Sequence, residues 1–169
     1  MKEIEKKFLV SNIDITNYEY KDIEQAYLNI YPDPIIRIRK YGDDYFLTYK
    51  NKIETKNNIN IADEFELPIN KLVYEKLKNK VEGNIITKKR YIINLENDLI
   101  AELDIYDGYL KGLKTVEVEF KNENDYKTFK KPSWFKEDIT KNKKYINSSL
   151  AKINSLKELE EENESISSK

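Results

Sequence analysis

Hydrophobic and polar residues alternate with a period of two along most of the chain, a pattern typical of β-strands with two unlike faces. The alternation predicts eight strands, at residues 3–10, 25–31, 35–41, 45–52, 61–67, 85–93, 99–106 and 115–120. Apolar residues at helical spacing predict helices at 70–80, 123–130 and 148–160. We assign one domain to residues 1–158 and expect the acidic stretch 159–169 to be a disordered tail.

One face of these predicted strands is charged, and its charges come as same-sign pairs two residues apart. The charged face holds Glu3, Glu5, Glu64, Glu66, Glu102, Asp104, Glu117, Glu119, Lys7, Arg37, Arg39, Lys50, Lys88 and Arg90. A solvated sheet face would explain any single strand. Like charges side by side on one face repel each other, however, so the repeated pairs are a poor choice for stability alone.

The opposite face of the predicted strands is apolar and needs a covering layer. It carries Ile4, Phe8, Ile36, Ile38, Leu47, Phe65, Leu103, Val116, Val118 and Phe120. If the helices cover this face from outside, the charged face points inward, and an eight-stranded barrel is wide enough to hold one small ligand. We therefore predict an α+β fold: an eight-stranded antiparallel closed β-barrel, a tunnel, with helices packed outside.

The amino-acid composition excludes several kinds of catalytic and metal site. The chain has neither cysteine nor histidine, which excludes thiolate zinc sites, Ser-His-Asp triads and a histidine general base. The net charge of −1 favours neither nucleic acid nor an anionic membrane as a partner. The absence of an apolar leader or a membrane-length apolar stretch leads us to expect a cytoplasmic protein. Eight inward carboxylates require cations and six inward basic groups require an anion, and a hard divalent metal with a polyphosphate would satisfy both.

Seven short motifs in order resemble the CYTH domain, the triphosphate tunnel metalloenzyme superfamily, over nearly the whole chain. The first is Glu3-Ile-Glu5-Lys-Lys7, similar to the family's E-x-E-x-K signature. The others are Arg37-Ile-Arg39, Thr48-Tyr-Lys50, Glu64-Phe-Glu66, Lys88-Lys-Arg90-Tyr91, Leu103-Asp104 and Glu117-Val-Glu119. Two departures are Ala62, where the family has an arginine, and Lys144, where an arginine usually precedes the tyrosine.

The resemblance implies roles for individual residues. It implies Mg²⁺ or Mn²⁺ as cofactor, with metal ligands Glu3, Glu5, Asp104, Glu117 and Glu119. It implies phosphate binding by Arg37, Arg39, Arg90, Lys7, Lys50, Lys88 and Lys144. Catalytic candidates are Lys7, Lys50, Glu64 and Glu66; the attacking water could be activated by the metal, by a carboxylate or by a lysine of lowered pKa. Glu64 and Glu66 could also hold a second metal or keep basic side chains apart.

The resemblance implies a hydrolase of triphosphates, and we expect inorganic tripolyphosphate as the first substrate with nucleoside triphosphates as secondary ones. No base-recognition motif accompanies the charged face. Thiamine triphosphatase and class IV adenylyl cyclase activities are alternatives, although cyclase-type members often carry a His-Phe element. A non-catalytic polyphosphate- or nucleotide-binding module is the alternative from a different class. The expected partner is a small-molecule triphosphate, with neither nucleic acid nor membrane, and the oligomeric state is left open.

Overall fold

The computed structural model describes residues 4–30, 34–56 and 59–159, with the backbone alone for 52–56 and 59–62. It contains nine strands: β1 (Glu5–Val10), β2 (Tyr20–Asn29), β3 (Ile35–Tyr41), β4 (Asp44–Lys56), β5 (Ile59–Ile69), β6 (Glu82–Asn94), β7 (Ile100–Tyr106), β8 (Lys114–Glu119) and β9 (Phe135–Asp138). Three helices are α1 (Lys71–Lys78), α2 (Glu123–Thr128) and α3 (Asn147–Leu150). All eight predicted strands are present, although residues 3 and 31 of the predicted segments lie outside the described ones.

All nine strands form one antiparallel sheet in the order β5-β4-β3-β2-β6-β7-β8-β1-β9. The α+β class is therefore confirmed, whereas a closed eight-stranded barrel is not. Within the described part of the chain, β5 and β9 are the two edges of the sheet and do not pair. The short strand β9, which alternation did not predict, occupies the free edge of β1 at Phe8 and Val10. A strand that closed the barrel would have to pair with this same edge of β1.

Two apolar layers cover the outer face of the sheet. Strands β1, β6, β7 and β8 pack their outer residues, including Phe8, Leu103 and Val116, against Tyr126 and Phe129 of the α2 region. Strands β2 and β3 pack Ala26 and Ile38 against Tyr74 of helix α1. Because the apolar residues face these layers, the charged residues of the same strands face the concave side, as the alternation predicts.

Helix α1 begins at a capped terminus, since the Asn70 side chain accepts a hydrogen bond from the Val73 N–H at 2.9 Å. Its buried Tyr74 hydroxyl donates to Glu24 at 2.7 Å, which fixes the helix over β2 and β3. The helix does not reach the outer face of β5. Phe65 and Leu67 there are 64% and 45% exposed, so the expectation that helices cover Phe65 is wrong.

The predicted helix at 148–160 is interrupted. Helix α3 ends at Leu150, and a further helical turn covers 156–159. Strand β6 explains the break: the Asn84 N–H donates to the Ala151 carbonyl at 2.7 Å, and the Asn84 side chain donates to the Ile153 carbonyl at 2.8 Å. These carbonyls are bonded to the sheet, so the helix does not continue through them. Leu159, the first residue of the predicted tail, is buried in the core and helical, so the tail does not begin there; residues 160–169 lie outside the described residues.

None of the helices in the described residues is long and apolar enough to cross a membrane.

Gly83 is predicted to be the glycine least tolerant of a side chain. It has a φ of +70°, and a Cβ there would lie 2.4 Å from the Ala151 carbonyl oxygen. We expect Gly83→Ala to lower the free energy of unfolding by about 3–5 kcal/mol, because backbone strain and overpacking add. Gly108→Ala is the matched control: its φ is +59°, but the nearest atom is the Thr87 hydroxyl at 3.5 Å. Urea unfolding should show a smaller loss, about 1–2 kcal/mol, for the control; equal losses would contradict the clash.

Candidate active site

The register of the strands collects the charged residues on the concave face. Glu5 and Lys7 of β1 pair with Glu119 and Glu117 of β8, and Glu102 of β7 pairs with Glu117. Arg90 of β6 pairs with Asp104. Because directly paired residues point to the same side of a sheet, all of these side chains share the concave face. The same rule places Arg37 and Arg39 of β3 beside Thr48 of β4 and Glu64 and Glu66 of β5.

The first of two ion-pair clusters is centred on Asp104, whose side chain is completely buried. Its Oδ1 accepts from Arg90 Nε and its Oδ2 from Arg90 Nη2, each at 2.7 Å, and the Lys88 ammonium also donates to Oδ2. Arg90 Nη1 contacts Glu102 as well, and Arg90 Nη2 lies 3.4 Å from Glu117. Lys7 Nζ lies 2.9 Å from Glu117 Oε1. We call these residues the Asp104 cluster: Lys7, Lys88, Arg90, Glu102, Asp104 and Glu117.

Burial and charge shift the pKa values in the Asp104 cluster in opposite directions. Burial favours the neutral forms, but Lys7 and Arg90 together hold the pKa of Glu117 well below its ordinary value. Glu117 in turn overcomes burial at Lys7 and raises the pKa of that ammonium. Lys88 behaves differently: burial, reinforced by nearby Arg90, lowers its pKa to about 8 in spite of Asp104.

The second cluster lies on β3, β4 and β5. Arg39 Nη2 donates to Glu66 Oε2 at 2.7 Å, and Arg37 Nη2 lies 3.3 Å from Glu64 Oε1. Lys50 Nζ lies 3.0 Å from Glu64 Oε2. Thr48 joins the two parts, since its hydroxyl donates to Glu66 at 3.1 Å. We call these six residues the Arg37 cluster, in which Glu64 and Glu66 are the ion-pair partners of the basic side chains.

The Arg37 cluster has more donors than acceptors. The Nε–H groups of Arg37 and Arg39 are buried, and neither has a hydrogen-bond acceptor among the residues that the structure describes. Burial, with repulsion from Arg37 and Arg90, lowers the pKa of the Arg39 guanidinium although Glu66 and Glu64 oppose the shift. Buried N–H groups without an acceptor are costly, so this arrangement favours a bound anion such as phosphate.

On β1, β7 and β8, by contrast, carboxylates lie directly opposite other carboxylates. Glu5 faces Glu119 and Glu102 faces Glu117 across the strand pairs, and like charges directly opposite destabilise a sheet. Burial and the neighbouring Glu117 and Asp104 raise the pKa of Glu102 in spite of Arg90. Within the described residues, no group of three or more acidic side chains is close enough to hold a metal ion. The donor set nevertheless fits a hard divalent cation, because it is all oxygen and repels itself without one.

Most of the predicted site residues lie in the two clusters, and a few lie elsewhere. Lys7, Lys88, Arg90, Asp104 and Glu117 meet in one cluster, and Arg37, Arg39, Lys50, Glu64 and Glu66 in the other. Glu5 and Glu119 lie at the exposed end of the same face. Glu3 lies outside the described residues. Lys144 comes from a 3₁₀ turn at Lys143–Tyr145 after β9 and not from a strand of the charged face.

Several polar residues of the concave face were missed by the sequence reasoning. Gln25 and Tyr27 of β2 pair with Arg39 and Arg37, are buried, and share a hydrogen bond of 2.6 Å. Tyr106 follows Asp104 by two residues and donates its hydroxyl to Asn147 at 2.9 Å. The period-two alternation places Gln25, Tyr27 and Tyr106 on the charged face. The two tyrosines were missed because a tyrosine in a strand is ordinarily assigned to the apolar core.

A surface pocket of about 180 Å³ lies beside β2 and β6 and mixes both charges. Asp22 and Glu24 line it, but each already pairs with a cation, Lys89 at 2.9 Å and Lys78 at 2.7 Å. Most of its lining residues alternate with those of the concave face, so it opens on the other side of the sheet. It lacks the surplus of buried donors that marks the Arg37 cluster.

Comparisons with known proteins agree with this geometry. The family model described as the CYTH domain matches residues 1–156, so the chain belongs to the CYTH domain family. A Nitrosomonas europaea protein named inorganic triphosphatase is 36% identical over 152 residues, covering 89% of this chain and 97% of the relative. An Acetivibrio thermocellus protein of the same name is 34% identical over 154 residues, covering 89% and 94%. A crystal structure of an inorganic triphosphatase matches with a TM-score of 0.70 and 33% identity, covering 92% of this chain and 97% of that one.

The two kinds of carboxylate on the concave face should respond oppositely to neutralisation. Asp104→Asn removes the charged partner of the buried Lys88 and the carboxylate that accepts two hydrogen bonds from Arg90, and we expect it to cost about 3–5 kcal/mol of unfolding free energy. Glu119→Gln removes the repulsion with Glu5 and should leave the protein at least as stable. Both are measured by urea unfolding in metal-free buffer. A loss at Glu119 as large as that at Asp104 would instead assign Glu119 to a structural ion pair.

Proposed function

We propose that this protein is a metal-dependent hydrolase of triphosphates that acts on inorganic tripolyphosphate, with nucleoside triphosphates as secondary substrates. The buried Nε–H groups of Arg37 and Arg39, for which the described part of the chain offers no acceptor, support an anionic substrate on the concave face. The names of the two relatives and of the matching crystal structure support a triphosphate as that anion. The substrate is a small molecule, and a cytoplasmic location stays a prediction.

The two arginines of β3 are the proposed phosphate clamps. Each guanidinium uses an Nη2 group for its carboxylate partner and keeps the Nε–H for the substrate. A guanidinium binds a phosphate through two parallel N–H groups, which fixes the phosphate in direction as well as in position. Glu64 and Glu66 hold these side chains in place from β5. Their proposed part in catalysis is therefore to position the arginines.

The remaining cations divide into two kinds. Arg90 donates to Asp104, Glu102 and Glu117 and so holds these carboxylates in place, and it stays a proposed phosphate-binding residue. Lys7, whose raised pKa keeps it protonated, and Lys50 supply positive charge to the phosphates. Lys88 stays next to Asp104 at the buried centre of the face. We retain it as a phosphate-binding residue.

Glu5, Glu117 and Glu119, with Glu3 from the same E-x-E motif, are the proposed holders of Mg²⁺ or Mn²⁺. When bound, a hard divalent cation withdraws charge from phosphoryl oxygens and eases attack by water. Asp104 is a weaker candidate, because both of its oxygens already accept hydrogen bonds from Lys88 and Arg90. Glu5 and Glu119 also lie where the face is open to solvent.

The proposal is tested by phosphate release from tripolyphosphate, ATP and thiamine triphosphate, each with Mg²⁺, Mn²⁺ and Ca²⁺ and with EDTA. We expect metal-dependent release that is fastest with tripolyphosphate. Faster release from thiamine triphosphate, or cyclic AMP formed from ATP, would assign a different activity to the same site. Binding of the compounds without any release would identify a non-catalytic polyphosphate-binding module.

Arg39→Ala is expected to reduce kcat/KM for tripolyphosphate by at least about tenfold, because a lost charged phosphate contact costs on the order of 1.5–3 kcal/mol. Arg39→Lys should recover only part of this, since an ammonium cannot make the paired contact. Lys89→Ala is the control: Lys89 pairs with Asp22 at 2.9 Å on the other face of β6. Wild-type kinetics in folded Arg39→Ala would place Arg39 outside the site.

Glu5→Gln is expected to abolish turnover at ordinary metal concentrations, because glutamine keeps the size of the side chain but loses the charge that a hard cation prefers. The measurement is activity against Mg²⁺ and Mn²⁺ concentration, where the variant should require far more metal. The matched control is Glu24→Gln, since Glu24 pairs with Lys78 and Tyr74 on the outer face. Turnover and metal dependence of Glu5→Gln equal to wild type would refute the assignment of Glu5 as a ligand.

A further inference from the structure

The peptide groups of Lys7 point toward the edge of β1 that lies away from β8. In an antiparallel pair, the backbone groups of successive residues point alternately to the two sides of the strand. The Phe120 N–H donates to the Ile4 carbonyl at 2.7 Å, so the even-numbered residues of β1 bond to β8. The N–H and carbonyl of Lys7 therefore face the other edge, which the short strand β9 only partly covers.

The two residues that directly follow β9 bond to both of these groups. The Ile139 N–H donates to the Lys7 carbonyl at 2.9 Å, as a residue of a longer strand would. The Lys7 N–H donates to the hydroxyl oxygen of Thr140 at 3.0 Å. A side chain thus replaces the main-chain acceptor that a barrel-closing strand would supply here. Lys7 is 7% exposed, so its peptide N–H needs such an acceptor.

The position of Thr140 is itself fixed by its neighbours. Its N–H donates to Asp138 Oδ1 at 3.0 Å, a local turn that aspartate side chains favour. Asp138 lies opposite Phe8 in the pair of β1 with β9. Ile139, between the two, is 1% exposed and belongs to a buried apolar cluster with Tyr106. The sheet and this cluster together therefore determine where the Thr140 hydroxyl lies.

The Lys7 side chain leaves this fixed peptide group toward the concave face. Its ammonium lies 2.9 Å from Glu117 Oε1 of β8, on the side of β1 away from Thr140. The four-carbon stem of a lysine is flexible, so the orientation of the peptide group sets where the ammonium can reach. The bond between Thr140 and Lys7 therefore fixes the point from which the ammonium is directed into the Asp104 cluster.

We infer that Thr140 is a positioning residue for Lys7: its hydroxyl holds the Lys7 peptide group so that the ammonium stays beside Glu117, where it is available to the phosphates. Thr140 acts through Lys7 and makes no contact of its own with the substrate. The inference rests on the proposed function for the part that Lys7 takes in phosphate binding. The position of the Lys7 ammonium can be measured without any substrate.

The first test is a double-mutant cycle in the binding of tripolyphosphate, measured by isothermal titration calorimetry in EDTA. Thr140→Val keeps the branched shape but removes the hydroxyl, and we expect Kd to rise at least about fivefold. In a Lys7→Gln background the same change should raise Kd less than about twofold, because no ammonium is left to position. Thr140→Ser keeps the hydroxyl and should bind like the wild type.

Ser11→Ala is the matched control for this cycle. The Ser11 hydroxyl donates to the Trp134 carbonyl at 3.2 Å, at the other end of the contact between β1 and β9. The control therefore removes a hydroxyl hydrogen bond from the same edge without touching the Lys7 peptide group. We expect its Kd for tripolyphosphate to equal that of the wild type.

The second test locates the Lys7 ammonium by competitive acetylation with limiting acetic anhydride, read by tandem mass spectrometry. A buried, ion-paired amine reacts more slowly than an exposed one, so Thr140→Val should increase the labelling of Lys7 several-fold. Lys6 is an internal control, because its ammonium lies 4.5 Å from the centre of the Tyr126 ring on the outer face. Its labelling should not change.

Unchanged labelling of Lys7 in Thr140→Val, or an equal rise of Kd in both backgrounds, would overturn the inference and leave Thr140 as a structural residue only. If the wild type bound no tripolyphosphate either in EDTA or with Mg²⁺, the proposed function would be wrong. The labelling would in that case still decide whether Thr140 positions Lys7.

Discussion

The contact of Asp104 with Lys88 and Arg90 is the interaction on which the rest of the site depends. A sheet that turns a charged face inward must compensate those charges in a region of low dielectric, where an unpaired ion is expensive. One completely buried carboxylate does this for two cations at once, and Arg90 extends the compensation to Glu102 and Glu117. Asp104 therefore allows the neighbouring strands to keep their cations buried.

Around Asp104, acidic and basic side chains lie on different strands of the sheet. Strands β1, β7 and β8 carry the self-repelling carboxylates, and strands β3 to β5 carry the arginines with spare donors. On one side Glu5 lies directly opposite Glu119, and on the other the Nε–H groups of Arg37 and Arg39 have no acceptor among the described residues. A cation beside the carboxylates and an anion beside the arginines would compensate both sides. The family membership and the names of the relatives agree with this division of charge.

Much of this arrangement was predictable from period-two alternation, because the pleat of a strand determines which residues share a face. Alternation located eight strands and the shared face of Arg37, Arg39, Lys88 and Arg90. It could not give partners: that Glu64 holds Arg37 and that Asp104 holds Lys88 follows from the register between distant strands. The break after Leu150 was equally hidden, since the carbonyls at 151 and 153 are bonded by Asn84 of a distant strand. Strand β9 is only four residues long, too short to show a period.

The buried cluster that joins β1, β2 and β3 to the C-terminal segment has a consequence for how the protein is made. Leu9 and Leu159 lie in or against the same cluster, and Glu5 of β1 pairs with Glu119 of β8, so both ends of the described chain are needed to complete one cavity. Contacts this distant in sequence form slowly, because a long loop must close before they contribute any stability. During synthesis β1 leaves the ribosome long before β8 and β9, the two strands that pair with it, and its inward charges stay exposed to water until then. The nascent protein can therefore complete the concave face only after β8, β9 and the segment up to Leu159 have been translated.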